Sequence, residues 1–498
     1  MKKIFISVLA LTMCLSMLVA CKPSDNNPAE TTSTPDTTTS VVVTTEEPKE
    51  PTKFELQFSV ENEKLLSEVI NNVESGSVLT DVPKFSTKET SRVKAGNAGY
   101  TYIYEKASLD LYNAYCDNLS ANNFAQYTET EFNAEKTAKY KNYFTTFISK
   151  VSQVDIEFHA AQSLMYVTHT PRTASVLPER EAPEYTEAGA NYPTMVTQLG
   201  HEDIEVETSL GLIIRLADGS FVLYDSGHNR EGIVDRIYET LVKQAPDPDN
   251  IVISAWIITH GHGDHTGAFM GFTDKYAKAS NITLKQIVYN FPDSSILDDG
   301  LAEQNTAVKK IKAWGNDVEI LKPHTGNVLY YADVKFNVLY TQENYLAVSN
   351  RFGNYNTSSL VLQMVTKDGT KILLAADHPV SGVYQEVTWC EGALYNWYGD
   401  FIESYVSTTF HHGLGGGADT KIYYTIKPKI VLWCVTNDKI NKNNMKQNTF
   451  NEYFAGPSAA SKNKVTYYIA GDNVQVLTFA NGVATVKEYD SFAAYKNS

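Results

Sequence analysis

Two stretches of the chain share one pattern of apolar and polar positions. "SLGLIIRLADGSFVLYDSG" (209–227) is an apolar run, an Asp-Gly turn at 218–219 and a second apolar run that ends in Asp225. "SSLVLQMVTKDGTKILLAADH" (358–378) repeats it, with Asp-Gly at 368–369 and Asp377 at the corresponding end. Each predicts a β-hairpin. "IVISAWIIT" (251–259) reads as a further strand, while "EGIVDRIYETLVKQ" (231–244) and "LAEQNTAVKKIKAWG" (301–315) carry helical spacing. Hairpins alternating with helices, and a repeat of the hairpin, predict two sheets packed face to face with helices outside.

Upstream the pattern changes. Residues 53–175 predict a small α+β domain, with a helix in "SLDLYNAYCDNL" (108–119) and strand-like runs at 124–132, 140–148 and 154–170. His159 and His169 stand inside these runs and read as sheet residues rather than ligands. The proline-punctuated stretch that follows predicts a linker over 176–199, and the two-sheet domain then occupies 200–498. Residues 21–52, rich in Thr, Pro, Ser and Glu, read as a solvated tether.

The longest apolar run lies at the N-terminus, where Lys2 and Lys3 precede Ile4–Ala20. That is the charged and apolar composition of an export signal over 1–20. The run ends "LVAC", which resembles a bacterial lipobox and implies lipidation of Cys21. The expected location is the outer face of the bacterial cytoplasmic membrane, held by acyl chains alone. Elsewhere no stretch reaches the length of a spanning helix.

At 498 residues the chain has room for two or three domains. Its formal charge of −16 disfavours long nucleic acids as partners. With Cys14 and Cys21 at the N-terminus, the remaining Cys116, Cys390 and Cys434 are odd in number and widely spaced. They read as buried apolar residues, neither a disulfide framework nor a zinc ribbon.

Candidate chemistry gathers in "ITHGHGDHTGAF" (258–269). It places His260, His262, Asp264 and His265 at a strand end, although the whole chain holds only 11 histidines. Alternating imidazoles on a tight loop can converge on one cation while the Asp-His pair turns to a second. Gly261 and Gly263 let that loop curl without side-chain crowding. Nitrogen and carboxylate donors of this mix suit Zn²⁺, with Mn²⁺ or Fe as alternatives.

This His-x-His-x-Asp-His stretch resembles the signature of the metallo-β-lactamase superfamily. The resemblance covers about 200–490 and implies an α/β fold, a four-layer αβ/βα sandwich with an internal repeat. It also implies two divalent metal ions. Their ligands would be His260, His262, Asp264, His265, the bridging Asp377 from "LLAADHP", and His411 or His412 from "FHHGLGGG". Asp225 in "LYDSG" would support the histidine loop by hydrogen bonds. The combination is similar to the branch that holds the hydrolase domain of competence DNA-uptake channels and the cell-wall phosphorylcholine esterases. The chain departs from the superfamily in one respect. Between the first motif and Asp377 the only histidine is His324, too early in the interval to read as a ligand, and Asn354, Asn356, Ser358 and Ser359 stand near the expected place. The His260/His262 site is therefore expected to be three-coordinate, water-completed or weakly occupied.

The implied function is a metal-dependent hydrolase, with Asp264 and His412 as catalytic candidates and His228 and His378 as candidate substrate contacts. Phosphodiesters, as small molecules or cell-wall polymers, are the first expected substrates. Carboxylic esters, lactones or β-lactams are the alternative, and a non-catalytic metal-containing binding lipoprotein is the reading from another class.

Overall fold

The repeated hairpin forms in both places. Gly211–Arg215 pairs antiparallel with Phe221–Asp225, and Val361–Val365 with Lys371–Leu374. Both turns set their glycine at positive φ, +84° for Gly219 and +87° for Gly369, a conformation that glycine adopts without strain. The computed structural model that carries these features describes residues 82–83, 91–94, 99–172, 176–182, 192–201, 206–349, 351–379, 385–414, 421–471 and 473–498; for 92–94 and 385–391 it describes the backbone alone. The predicted signal, Cys21 and the tether lie outside the described residues.

Beyond each hairpin, three strands run parallel to its second strand. In one sheet these are Ile251–Ile258, Gln286–Tyr289 and Glu319–Leu321. In the other they are Val406–Thr408, Ile430–Trp433 and Thr466–Ile469. On the opposite side of each hairpin the neighbours are antiparallel. Met195–Gln198, Val474–Ala480 and Val483–Tyr489 complete a nine-stranded sheet that also holds the short Ile282–Leu284. Val334–Tyr340 and Val328–Tyr331 complete a seven-stranded one. Six strands of each sheet, starting from Met195–Gln198 and from Val334–Tyr340, thus share one order, which extends the internal repeat beyond the hairpin.

Alternation within these strands builds the layers. Leu212, Ile214, Val222, Tyr224, Ala255 and Ile257 meet Phe336, Val338, Leu362, Met364, Ile372 and Leu374 between the sheets. Phe221, Leu223 and Ile253 point the other way, onto the helices Glu231–Gln244, Gly263–Tyr276 and Leu301–Ala313. On the far side Val361, Leu373, Val431 and Trp433 pack against helices that include Gln385–Tyr398 and Lys421–Ile426. This is a four-layer αβ/βα sandwich.

Two sequence expectations are corrected. The segment 176–199, read as a linker, contributes Met195–Gln198 to the nine-stranded sheet, and Val176 bridges to Leu321. The run 154–170, read as one strand, is a hairpin of Ser152–His159 and Leu164–Pro171. Both of its strands are buried along almost their whole length, so the usual alternation is missing. With Ser91–Lys94 and Tyr100–Glu105, which the pattern did not reveal, the N-terminal region is a six-stranded antiparallel sheet.

One face of that sheet takes the helix Leu109–Ala121, capped by the Ser108 side chain. The other packs on the sandwich through Ile103, Phe144 and Tyr166, in one cluster with Tyr340, Trp397 and Tyr398. Polar groups cross the same seam. Asn142 Nδ2 donates to the Trp397 carbonyl at 3.0 Å and Asn344 Nδ2 to Glu157 at 2.8 Å. Among the described residues no helix is long and apolar enough to cross a membrane.

Candidate metal centre

The strand Ile251–Ile258 and the helix Gly263–Tyr276 leave only Thr259–His262 between them, with His262 capping the helix. His260 and His262 therefore hang from a tight loop, while Asp264 and His265 occupy the first helical turn, where the helix dipole favours a carboxylate. Gly261 is required by space, because a Cβ there would lie 2.5 Å from the Tyr355 hydroxyl. The second sheet supplies the facing wall from equivalent positions. Asp377 follows Lys371–Leu374, and His411 and His412 follow Val406–Thr408. His411 and His412 adopt successive positive φ values of 42° and 53°. Such strain persists only where the surroundings impose it. Here the His411 N–H donates to the Ala376 carbonyl at 3.0 Å, and the Trp433 indole to the His412 carbonyl at 2.8 Å.

The side chains fall into two donor groups that share Asp377. Asp264, His265, Asp377 and His412 present ligand atoms within 4.8 Å of one another, and so do His260, His262 and Asp377. Within the first group His265 Nε2 is 3.1 Å and His412 Nε2 3.2 Å from Asp377 Oδ1, and His412 Nε2 is 3.1 Å from Asp264 Oδ2. His265 Nε2, His412 Nε2 and Asp377 Oδ1 are nevertheless buried without a well-formed hydrogen bond. Buried polar atoms normally find partners, so a converging set that lacks them is a cradle for a cation.

The outer nitrogens are used in the opposite way. His265 Nδ1 lies 2.8 Å from Asp225 Oδ2, and His412 Nδ1 lies 2.8 Å from the Cys434 carbonyl. His260 Nδ1 is 3.1 Å from Thr259 Oγ1. Asp225 also accepts the Thr259 N–H at 2.9 Å and its hydroxyl at 2.8 Å, fixing the base of the loop. His265 and His412 are thereby turned so that Nε2 faces inward, the arrangement that orients metal-binding histidines, while His260 Nε2 meets His262 Nδ1 at 3.1 Å. The donor set fits two divalent cations.

The charges support this. Burial opposes ionisation of Asp377, yet the His265, His412 and His411 imidazoles hold its carboxyl well below the usual range. Burial likewise opposes a charged His412, but Asp377 and Asp264 push it up to about 10. His265 is raised in the same manner against its own burial, by Asp377, Asp225 and Asp264. Positive charge is thus favoured at the point where a cation would neutralise the carboxylates. His260, which has no carboxylate that close, is driven well below its ordinary value by burial and by its histidine neighbours.

The structure separates the two late histidines that the sequence left unresolved. His412 is a member of the four-donor group and is fully engaged there. His411, named among the ligands, belongs to neither group. Its Nε2 is 3.8 Å from Asp377 Oδ2 and 3.2 Å from Asn356 Nδ2, and it is the spare imidazole. Of the candidate substrate contacts, His228 is partly exposed and senses Asp264. His378 is fully buried and edge-on to Tyr340 at 4.4 Å. His324 lies apart, 3.5 Å from Asp155 and 3.6 Å from Glu343 at the seam with the N-terminal sheet. His159 and His169 are buried in that sheet, as read.

Sequence reasoning missed Thr208, whose hydroxyl donates to Asp264 at 3.1 Å, and the Tyr355 ring, edge-on to His262 at 5.3 Å. It also missed Asp299, 3.6 Å from His262 Nε2. Thr259 was findable as a hydroxyl residue directly before the motif at the strand end. The Cys434 carbonyl left no sequence signal.

Residues 206–303 match the family model described as Metallo-beta-lactamase superfamily. The matched stretch holds the first hairpin strands, Asp225 and all of His260–His265. Solved structures similar to the chain include the metallo-beta-lactamase fold protein YhfI from Bacillus subtilis, at 12% identity over 52% of this chain and 95% of that one, TM-score 0.31. Another is described as a possible metal-dependent hydrolase from Veillonella parvula DSM 2008, at 11% identity over 58% and 100%, TM-score 0.30. A third is a Cronobacter sakazakii metallo-beta-lactamase with a HARLDQ motif, at 12% identity over 41% and 74%, TM-score 0.25. No curated protein matches significantly.

Proposed function

We propose that the chain is a metal-dependent hydrolase that cleaves a phosphodiester, acting from a lipid anchor on the outer face of the bacterial cytoplasmic membrane. The observation that carries the hydrolase reading is the donor set around Asp377, in which His265 Nε2, His412 Nε2 and Asp377 Oδ1 are buried without a well-formed hydrogen bond while the outer nitrogens of His265 and His412 are tied. His260, His262 and Asp377 would hold one cation, and Asp264, His265, Asp377 and His412 the other. Two divalent cations held there, of Zn, Mn or Fe, would supply Lewis-acid charge and make water a nucleophile at neutral pH.

The remaining work falls to the chain. Thr208 steadies Asp264, and Asp225 with Thr259 keeps the histidine loop rigid, so little reorganisation is left for the reaction itself. Burial lowers the His411 pKa against the pull of Asp377. With Nε2 taken by the Asn356 amide, its ring proton sits on Nδ1, a donor for a substrate oxygen.

The phosphodiester preference rests on the branch resemblance, and the lipid anchor on the "LVAC" segment. The overall charge of −16 favours small molecules or cell-wall polymers over long nucleic acids. Hydrolysis of bis-p-nitrophenyl phosphate by the metal-loaded protein tests this. Turnover lost in Asp377→Ala supports it, whereas turnover of p-nitrophenyl acetate or nitrocefin alone would move the substrate to carboxylic esters or lactams.

A further inference from the structure

The two donor groups are unequal. One has four protein residues and the other three, with Asp377 counted in both. Cations of this kind take at least four donors, so the walls of the His260/His262 site bear inspection. One wall is the short turn Tyr355–Ser358, which is fastened to the histidine loop on both sides of Asn356. Before it, the Tyr355 ring stands edge-on to His260 at 5.9 Å and to His262 at 5.3 Å. After it, Ser359 Oγ lies 3.4 Å from His260 Nδ1 and the Leu360 N–H donates to the Thr259 carbonyl at 3.1 Å.

Asn356 is 6% exposed. Its amide nitrogen donates to His411 Nε2 at 3.2 Å, and that nitrogen is 3.8 Å from Asp377 Oδ2. The amide is therefore linked to the bridging carboxylate through the His411 imidazole. Its oxygen, Oδ1, is buried and has no hydrogen-bond partner. The other polar groups on this side are engaged or outlying: Ser359 supports His260, the Tyr355 hydroxyl bonds Gln304, and Asp299 is more than half exposed at the rim.

We propose that Asn356 is the third protein residue serving the His260/His262 cation besides Asp377, donating its side-chain amide oxygen. This rests on the metal-site reading above. A neutral amide oxygen is a harder and weaker donor than an imidazole. The site so completed loads second, after the Asp264/His265/Asp377/His412 site, and tolerates oxygen-preferring Mn²⁺ better than an all-histidine site would.

Titration of the metal-free full-length protein with Co²⁺, followed by its visible absorption and by calorimetry, tests this directly. The wild type should bind in two steps of different affinity. Asn356→Leu should weaken the second step roughly 10–100-fold and leave the first unchanged, and Asn356→His should bring the two steps together. If Asn356→Leu does not fold, Asn356→Asp decides, because a carboxylate there should tighten the second step. An unchanged second step in Asn356→Leu, or an untightened one in Asn356→Asp, overturns the assignment. No Co²⁺ binding by the wild type overturns the metal-site reading itself, a result distinct from either.

Discussion

Asp225 bonds Thr259 twice and His265 once, from a buried position and with a backbone φ of +50°. It touches no inferred cation, yet it fixes the tautomer and direction of His265. Asp225→Asn keeps the shape and exchanges one acceptor oxygen for a donor, so metal affinity should fall roughly 10–100-fold. Competition against a chelator of known affinity measures it. The protons on His412 and His265 make a second prediction. His412 is raised from 6.5 to about 10, so in the metal-free protein its contribution to stability is complete below the unfolded value. That contribution is lost as pH climbs toward about 10. A cation must displace these protons, so metal affinity should rise over the same interval and binding should release protons. Calorimetry in two buffers of different ionisation enthalpy reads the number released. Affinity that is flat from about pH 6 to about pH 9 would contradict the assignment.

At the scale of elements, the helix Gly263–Tyr276 approaches the 228–229 backbone more closely than a side chain permits. A Cβ on Gly267 would lie 2.7 Å from the His228 carbonyl carbon and closer still to the Asn229 nitrogen. Gly267→Ala must push the helix off the loop that follows Asp225, at a cost of about 1–3 kcal/mol by chemical denaturation. These elements also explain what sequence could and could not reveal. The helix at Glu231–Gln244 was legible because its apolar residues Ile233, Val234, Ile237 and Leu241 fall on one buried stripe. The hairpins were legible through their Asp-Gly turns. Ser152–His159 and Leu164–Pro171 merged into one run because both faces of their sheet are covered. Met195–Gln198 is too short, and too far in sequence from its partner Val474–Ala480, to announce itself. At the site, His260, His262, Asp264 and His265 were legible from their spacing, and Asp377 through the family resemblance. The choice between His411 and His412 was not, since it depends on two left-handed residues that no local pattern encodes.

Across the whole molecule, the N-terminal sheet and the sandwich share a buried seam. Lys322 and Glu343 pair there at 3.3 Å, with Asn290 donating to Glu343 at 2.8 Å and Asn344 to Glu157 at 2.8 Å. Separating the layers would expose these groups together with Tyr166 and Trp397, so Leu56–Ser498, one compact unit, should unfold in a single calorimetric transition. Two transitions, one of them insensitive to metal, would contradict that. The paired donor groups around Asp377 carry the proposed chemistry. Anomalous diffraction at the zinc edge from crystals grown with Zn²⁺ tests them most directly. It should give two peaks flanking Asp377, one against His260 and His262 and the other against Asp264, His265 and His412; a map with no peak there, or with zinc bound only elsewhere, would contradict the account.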